Sequence, residues 1–458
     1  MQQKRQTIGW ILFGLAMILI SIALEQRAFQ LPFGIHETAD DASYLRPAEN
    51  WINHGVWKDN SEGPSAYVQR PPLVGGIYAI GFWLSPGGSK VIFMVFAVLL
   101  HLIAVRCLNQ LLLATSQIWR VTGLLLFTVL PCFFGFLSYS ISEAHVVSLI
   151  VIGITLFYQN RSGFILGSFL LLIYLFRPVL LLLFLPWFVI RLRERIHLVG
   201  RNWKIAFFIL LLAVLGWEGR KAYYTGHLLD LHPIYHEANW STYRPPHEKL
   251  SDLFRIWETK PELFHELCGK ALAGTLDLKA VEEYCQERHV PLDAATLHGT
   301  LIKWAHVAQS AIDENAMTLT RSEQEFNKRI KLLRKELVSE YPWRYYVYTP
   351  LQGMKEQLPK SHLNLGIFQE TYRGTWLVEF IRIISLLLVV LSFVLLPASI
   401  IHKHPLRYLA IGTLIYLVYL FWIQRMNEDR YLLPAFIAAY CVLLFWINSI
   451  FKVRKKTA

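Results

Sequence analysis

The sequence predicts an all-α polytopic membrane protein with a helical extracytoplasmic domain, and three observations support this. Of the 458 residues, 54% are hydrophobic and only 17% are charged, whereas soluble domains have about 25% charged residues. Apolar segments recur along the chain. The basic residues behind the formal net charge of +12 fall in short clusters between those segments. This is the positive-inside pattern of membrane proteins and not the continuous basic surface of a nucleic-acid-binding protein, so no nucleic acid partner is expected.

The first apolar segment covers residues 7–24, close to the roughly 20 residues that a spanning helix needs. Lys4 and Arg5 precede it, and no cleavage site of the Ala-x-Ala kind follows it. We therefore expect a retained helix with its N-terminus in the cytoplasm. Residues 73–84 are too few to cross the bilayer and indicate a helix at the outer interface. Further crossings are expected at residues 91–105, 121–137, 144–157, 205–217, 376–396, 408–423 and 431–451.

The apolar run 164–190 is long for one spanning helix and short for two, at 1.5 Å per residue. Arg161 before the run and the basic cluster after Arg191 both have the character of cytoplasmic loops. The chain should therefore enter and leave on the same side. Because Arg177-Pro178 supplies a break in the middle, we expect two short helices that meet near Arg177 at the outer side. The prediction is about ten crossings, with both termini in the cytoplasm.

The predicted topology divides the chain into three parts. They are an N-terminal membrane module (1–218) whose first outer loop covers 25–88, an extracytoplasmic domain (219–375) and C-terminal membrane helices (376–458). Within the extracytoplasmic domain, helical patterns cover 260–276, 278–288, 293–310 and 321–340. Cys268 and Cys285 also lie in this domain, and whether they form a disulfide is left open. The other cysteines are expected to be packing residues.

Charge is concentrated next to the first apolar segment, in the stretch 38–72. Asp40 and Asp41 are adjacent, so on a helix their side chains point in different directions. One of them could serve as a general base, while capping of the next helix is the structural alternative. Tyr44 follows. Arg70 precedes two prolines, and its guanidinium either binds a phosphate at the level of the lipid headgroups or lies at the rim of a turn.

Other charged residues fall on the same predicted outer side. Glu143 opens a crossing, where an acidic residue is also favoured by the helix dipole. Arg177 lies within a membrane segment, where an ionised side chain costs about 2.5–3.5 kcal/mol even on the insertion scale. We therefore expect Arg177 to face a polar cavity and to meet a lipid-linked phosphate or an internal carboxylate. Further candidates for an anionic headgroup, with ion pairing to nearby acids as the alternative, are Arg244, Arg425, Arg430 and Tyr431.

In combination, these motifs resemble the GT-C glycosyltransferases, especially the branch with the protein mannosyltransferases and the bacterial lipid A aminoarabinose transferase. In the first outer loop, the resemblance rests on Asp40-Asp41-Ala42-Ser43-Tyr44, His54-Gly55-Val56-Trp57 and Arg70-Pro71-Pro72-Leu73. Elsewhere it rests on Ser142-Glu143, Arg177-Pro178 and Asp429-Arg430-Tyr431-Leu432-Leu433-Pro434. It covers the membrane part, about two-thirds of the chain. The chain departs from the family at Pro47, which falls within what is usually a continuous helix, and in the extracytoplasmic domain, which has no matching signature.

The resemblance implies a GT-C-like helix bundle in a membrane, expected to be the bacterial cytoplasmic membrane. It also implies an inverting enzyme that takes a sugar from a polyprenyl-phosphate carrier on the outer face. Asp40 matches the family's proposed base, and Asp41 and Glu143 are further catalytic candidates. The candidates for substrate binding are Tyr44, Arg70, Arg177, Arg244, Arg430 and Tyr431. The expected partners are the lipid-linked donor, membrane lipids and an acceptor that the sequence does not identify. A divalent cation stays open as a cofactor, because no firm ligand set is evident.

Two other functions compete with this interpretation. A transporter or flippase usually has inverted repeats and broken central helices; no internal symmetry is evident, although Arg177-Pro178 resembles such a break. An O-antigen ligase or polymerase-type enzyme would also place arginines and a large loop outside, but it would not need the early acidic pair. The sequence contains no nucleotide-binding glycine loop, which fits a lipid-linked sugar donor.

Overall fold

The structure, a computed structural model, is helical in its described parts. These are residues 8–9, 12–16, 19, 23, 40, 42–60, 64–114, 116–130, 133, 135–139, 141–195, 201–226, 228–229, 245–314, 316, 319–357, 376–425 and 429–457. All the regular elements that we describe in these ranges are helices or helical turns. The all-α fold class that the sequence predicts is therefore confirmed.

In the N-terminal module, residues 12–16 are helical, and eight helices have both ends described. They are α1 (Ala42–His54), α2 (Pro72–Leu84), α3 (Ser89–Leu111), α4 (Gln117–Val129), α5 (Glu143–Tyr158), α6 (Gly163–Phe176), α7 (Leu181–Arg195) and α8 (Arg201–Thr225). A short 3₁₀ turn, Pro64–Tyr67, lies between α1 and α2. α1 continues through Pro47, so this proline does not interrupt the helix that follows Asp40.

The segment that the sequence predicts to be an extracytoplasmic domain, a name kept here for that segment, has α9 (Pro245–Phe254) as its first complete described helix. It continues with α10 (Pro261–Leu272), α11 (Leu278–Arg288), α12 (Ala294–Asp313), α13 (Arg321–Glu340), a π-helical turn (Arg344–Tyr348) and α14 (Thr349–Gln357). The ends of the helices follow local sequence signals. Asp277 and Asp293 each accept a hydrogen bond from the first turn of the helix that follows, and Thr320 and Glu323 form a capping box.

The C-terminal part contains α15 (Trp376–Ile401), α16 (Arg407–Val418) and α17 (Leu433–Thr457). α16 runs directly into a π-helical turn, Tyr419–Gln424, and a 3₁₀ turn, Asp429–Leu432, precedes α17.

Two cores organise the described residues. In the membrane part, α3, α5, α7, α16 and α17 share one large apolar core. α16 and α7 approach each other closely at Gly412, where an added Cβ would overlap the carbonyl oxygen of Leu183, so only glycine fits this crossing. The extracytoplasmic domain has a separate core around the buried rings of Trp257, Phe264 and Trp304.

Four helical stretches in the described part are long and apolar enough to cross a bilayer: Ser89–Leu111, Ile383–Ile401, Arg407–Gln424 and Arg430–Ile447. α15 also exposes a row of large apolar side chains, at Ile383, Leu387, Val390, Leu391 and Val394. Soluble proteins rarely expose extended apolar surfaces to water, whereas lipid tails cover such surfaces in a bilayer. The chain is thus a multi-pass membrane protein, and the total of about ten crossings stays a prediction.

The predicted break at Arg177 is confirmed. α6 ends at Phe176, the turn Pro178–Leu180 follows, and α7 begins at Leu181. Arg177 itself has extended backbone angles, as expected for a residue that precedes proline. The four helices predicted in the extracytoplasmic domain are also present, but α9 and α14 were not predicted.

One expectation needs correction, and one open question has an answer. The predicted crossing 121–137 is interrupted, because α4 ends at Val129 and a separate turn covers Gly135–Ser138. Leu130 precedes Pro131, and this position disfavours helical backbone angles. Cys268 and Cys285 are both free thiols, so the structure has no disulfide between them, and burial of the Cys268 thiol raises its pKa.

Candidate active site

A cavity of about 80 Å³ lies at one end of the membrane bundle. A single water needs roughly 10–15 Å³ on the same measure, so a phosphate-sized group has room here. The cavity is lined by seven of the nine predicted site residues: Asp40, Tyr44, Arg70, Glu143, Arg177, Arg430 and Tyr431. The other two, Asp41 and Arg244, lie outside the described residues.

Each charged residue of the cavity that the sequence predicted lies at the start or the end of a helix. Asp40 precedes α1, and Arg70 precedes the proline pair that opens α2. Glu143 is the first residue of α5, Arg177 follows α6, and Arg430 lies in the turn before α17. Five helix ends from distant parts of the sequence therefore meet at one end of the bundle and carry the ionised groups there.

Asp40 is bound by two arginines. Arg70 Nη2 donates to Asp40 Oδ1 at 2.7 Å, and Arg430 Nη2 donates to Asp40 Oδ2. Ser43 links Asp40 to Arg70. Its hydroxyl donates to the Asp40 carbonyl oxygen at 2.6 Å and accepts from Arg70 Nε at 2.8 Å. The guanidinium of Arg70 also lies 5.1 Å from the ring centre of Tyr44, within range of a cation–π interaction.

The arginines determine the charge state of Asp40. Burial raises its pKa, but the charges of Arg70 and Arg430 outweigh burial and hold the pKa below the usual value of 3.8. Asp40 is therefore ionised throughout the neutral range.

Glu143 is the partner of Arg177. Arg177 Nη1 donates to Glu143 Oε1 at 2.6 Å, and the Ser142 hydroxyl donates to Glu143 Oε2 at 3.0 Å. The hydroxyl of Tyr44 donates to Ser142 Oγ at 3.3 Å. Arg430 Nε lies 3.8 Å from Glu143 Oε1, so Arg430 joins the two carboxylates into one network.

The two carboxylates differ in exposure. The side chain of Asp40 is 30% exposed, whereas that of Glu143 is 5% exposed. A ligand in the cavity therefore reaches Asp40 more easily, and Glu143 serves mainly as the internal carboxylate that neutralises Arg177. Both alternatives that the sequence left for Arg177 are thus compatible with its position: it pairs with a carboxylate and also lines the cavity.

The network carries a positive charge. Three guanidinium groups, of Arg70, Arg177 and Arg430, face two carboxylates in the cavity wall. Guanidinium groups suit phosphate because their planar fork donates two parallel hydrogen bonds. The arrangement therefore suits an anionic ligand.

Lys221 is a cavity residue that sequence analysis missed. It lies on α8 and is 3% exposed, and its ammonium donates to Glu218 Oε1 at 2.9 Å. The hydroxyl of Tyr174 also donates to Glu218. The signal was present in the sequence, because Glu218, Arg220 and Lys221 interrupt an otherwise apolar segment. It was overlooked since these residues stand at the predicted domain boundary.

Arg220 connects α8 to the loop that carries Arg70. Its guanidinium donates to the carbonyl oxygens of Tyr67 and Trp57 at 3.0 and 2.7 Å. It also contacts the rings of Tyr67 and Tyr224, which stack on each other at 4.3 Å. α8 thereby fixes the backbone three residues before Arg70.

Arg425 does not line the cavity, although the sequence grouped it with Arg430. In the described part of the chain, no group of three or more His, Cys, Asp or Glu side chains is placed to hold a metal ion. The residues of the cavity thus offer a divalent cation two carboxylates, both of which already bind arginines.

Comparison with known proteins yields one similarity. No family model matches the chain, and no curated protein matches it. Among solved structures, the chain is similar to the crystal structure of ArnT from Cupriavidus metallidurans bound to undecaprenyl phosphate. The two sequences are 10% identical, the TM-score is 0.37, and the match covers 96% of this chain and 78% of that chain.

Proposed function

We propose that this protein is a GT-C-like membrane glycosyltransferase that moves a sugar from a polyprenyl-phosphate carrier to an acceptor on the extracytoplasmic face. The observation that carries the proposal is the cavity itself. An accessible carboxylate, Asp40, lies among three arginines at the end of an apolar helix bundle. A lipid-linked sugar phosphate has matching parts: an apolar tail for the bilayer, an anionic phosphate for the arginines and a sugar beside the carboxylate.

The reaction is a single displacement at the anomeric carbon. The acceptor hydroxyl forms the new bond to this carbon while the bond between the carbon and the phosphate oxygen breaks, which inverts the configuration. Asp40 takes the proton of the acceptor hydroxyl. The bonding electrons leave with the lipid phosphate, and Arg70, Arg177 and Arg430 stabilise its growing negative charge. A phosphate is a good leaving group, so no carboxylic acid is required to protonate it.

The charges of the cavity explain why one Asp can serve as the base. Each oxygen of the Asp40 carboxylate accepts one arginine hydrogen bond, and a carboxylate oxygen has a second lone pair. An acceptor hydroxyl can use that lone pair without displacing an arginine. When the phosphate arrives, it competes for the same guanidinium groups, which weakens their hold on Asp40 and makes the carboxylate more basic.

The proposal is tested by comparing lipid-linked sugars and surface glycans in cells with and without the protein, by mass spectrometry. We expect a polyprenyl-phosphate sugar to accumulate and one glycan to lose a sugar when the protein is absent. Unchanged glycans together with altered export of a small solute would indicate a transporter. Accumulation of a whole lipid-linked oligosaccharide, with no single sugar missing from it, would indicate a ligase or polymerase.

The pH dependence of transfer gives a second prediction, based on the lowered pKa of Asp40. A base with a lowered pKa is active above that pKa and loses activity as the pH falls through it. The acid limb of kcat/KM, which reports the free enzyme, should therefore lie below the usual aspartate pKa of 3.8 in the wild type. Arg70→Gln removes one of the two positive charges that lower the pKa of Asp40 against the effect of burial. The pKa of Asp40 then rises, and the acid limb of the rate profile should move to higher pH.

Initial rates at low donor concentration, measured from the acid limb of the wild type up to pH 8, test this prediction, with Arg46→Gln as the control. Arg46 lies on α1, 3.8 Å from Asp59 and outside the cavity. The control should keep the wild-type profile. An Arg70→Gln profile with an unmoved acid limb would show that Asp40 is not the titrating base.

A further inference from the structure

Arg425 ends the helix that leads to the cavity, and its backbone conformation is unusual. α16 continues into the π-helical turn Tyr419–Gln424, and the amide of Arg425 closes this turn by donating to Leu420 O at 2.7 Å. The φ angle of Arg425 is 53°, in a region that residues with a Cβ rarely adopt and that glycine adopts freely. Such strain persists only where the surrounding contacts hold the residue in place.

The contacts that hold Arg425 come from the extracytoplasmic domain. Its side chain is buried, and Nη1 donates to the carbonyl oxygen of Arg255 at 3.0 Å. The guanidinium carbon lies 3.6 Å from the ring centre of Tyr345, the closest arginine–aromatic contact in the described part of the chain. Tyr345 is itself fixed, because its hydroxyl accepts from Arg334 at 2.8 Å.

Two neighbours of Arg425 strengthen the same connection. The indole of Trp422 donates to the carbonyl oxygen of Tyr346 at 2.9 Å, and the ring of Phe421 packs against Gly353. The segment that receives these contacts is bound to the rest of the extracytoplasmic domain, for example by the Thr349 hydroxyl, which donates to Ile256 O at 2.7 Å. The end of α16 is therefore clamped to that domain.

The clamped helix end is also a wall of the cavity. Leu420 and Gln424 line the cavity together with Arg430, which follows Arg425 by five residues. Arg430 binds Asp40, and the next residue, Tyr431, is held by the Tyr416 hydroxyl on α16. A change in the position of the helix end therefore moves a cavity wall and the chain that carries Arg430.

We propose that Arg425 is a positioning residue: it clamps the end of α16 to the extracytoplasmic domain and thereby holds Arg430 in place against Asp40 and the phosphate of the donor. The proposal rests on the proposed function for its ligand, a lipid phosphate. It extends that function by making the cavity depend on how the extracytoplasmic domain is seated. A ligand of this domain that shifted Tyr345 would thus change the affinity of the cavity for the phosphate.

The test uses Arg425→Gly in the full chain, in detergent micelles, with undecaprenyl phosphate as the probe and undecaprenol as its neutral counterpart. Glycine accepts the positive φ angle, so this variant removes the clamp without adding backbone strain. We expect the affinity for undecaprenyl phosphate to fall about tenfold, within the range of coupling between residues of one network. Arg344→Gln is the matched control, because Arg344 also contacts a tyrosine ring and a backbone carbonyl, both within the extracytoplasmic domain.

A double-mutant cycle distinguishes positioning from a general loss of structure. If Arg425 acts through Arg430, then Arg425→Gly combined with Arg430→Gln binds the probe as Arg430→Gln alone does, within about twofold. If the two losses multiply instead, the positioning role is overturned. Equal binding by Arg425→Gly and the wild type would overturn it as well.

The melting temperatures of the wild type, the two single variants and the double variant provide a readout that needs no ligand. If Arg425 positions Arg430, Arg425→Gly lowers the melting temperature less in the Arg430→Gln background than in the wild type. Additive decreases in melting temperature contradict the positioning role. If the wild type and the Arg344→Gln control both fail to prefer undecaprenyl phosphate over undecaprenol, the proposed function fails. The cycle in melting temperature then still decides whether Arg425 and Arg430 are coupled.

Discussion

Asp40→Asn is expected to lower the rate of sugar transfer by at least about 10²-fold, in line with the removal of a general base, while the protein still folds and inserts. The amide keeps the size of the carboxylate and one acceptor oxygen for Arg70 or Arg430, but it cannot take a proton from the acceptor. Because the substitution also removes a negative charge beside the phosphate site, binding of undecaprenyl phosphate should be retained or tightened. The rate of transfer thus falls, whereas the affinity for undecaprenyl phosphate does not.

The matched control for this prediction is Asp59→Asn. Asp59 lies in the segment between α1 and α2, is also buried and pairs weakly with Arg46 at 3.8 Å, but it does not line the cavity. Its variant should transfer sugar at a rate within about threefold of the wild type. A fully active Asp40→Asn enzyme would falsify the assignment of the base. Loss of both transfer and probe binding would instead indicate that Asp40 mainly organises the arginines.

Glu143→Gln is expected to destabilise the protein by about 3–5 kcal/mol, the usual effect of breaking a buried ion pair. Glu143 and Arg177 are 5% and 14% exposed, and their closest atoms are 2.6 Å apart. The neutral amide leaves the Arg177 guanidinium without its counter-charge in a low-dielectric part of the protein. Thermal unfolding of the full chain in detergent measures the loss.

The double variant Glu143→Gln/Arg177→Gln is the decisive comparison. It removes both charges, so it should be more stable than the sum of the two single losses predicts, by about 1–3 kcal/mol. Purely additive losses of stability would show that the two side chains do not interact in the folded protein.

Tyr44→Phe removes only the hydroxyl that donates to Ser142. It should lower the free energy of unfolding by about 0.5–1.5 kcal/mol, measured by the same thermal unfolding.

Much of the site was predictable because its residues follow local rules. Acidic residues at helix starts and arginines before prolines are visible in the sequence, and their membrane setting makes each charge expensive unless it is paired. This reasoning found Asp40, Arg70, Glu143, Arg177 and Arg430. It missed Lys221, which stands at the predicted domain boundary. It also missed the clamp at Arg425, because the partners Arg255 and Tyr345 are distant in sequence.

The sequence by itself determined most of the helices, the break at Arg177 and the set of charged residues that stand at helix ends. These depend on hydrophobic runs, prolines and caps, which act over a few residues. Only the tertiary structure decided which charges pair: Asp40 with Arg70 and Arg430, and Glu143 with Arg177. Asp40 and Arg430 are 390 residues apart. The packing of whole helices brings them together, and this packing leaves no mark in the local pattern around either residue.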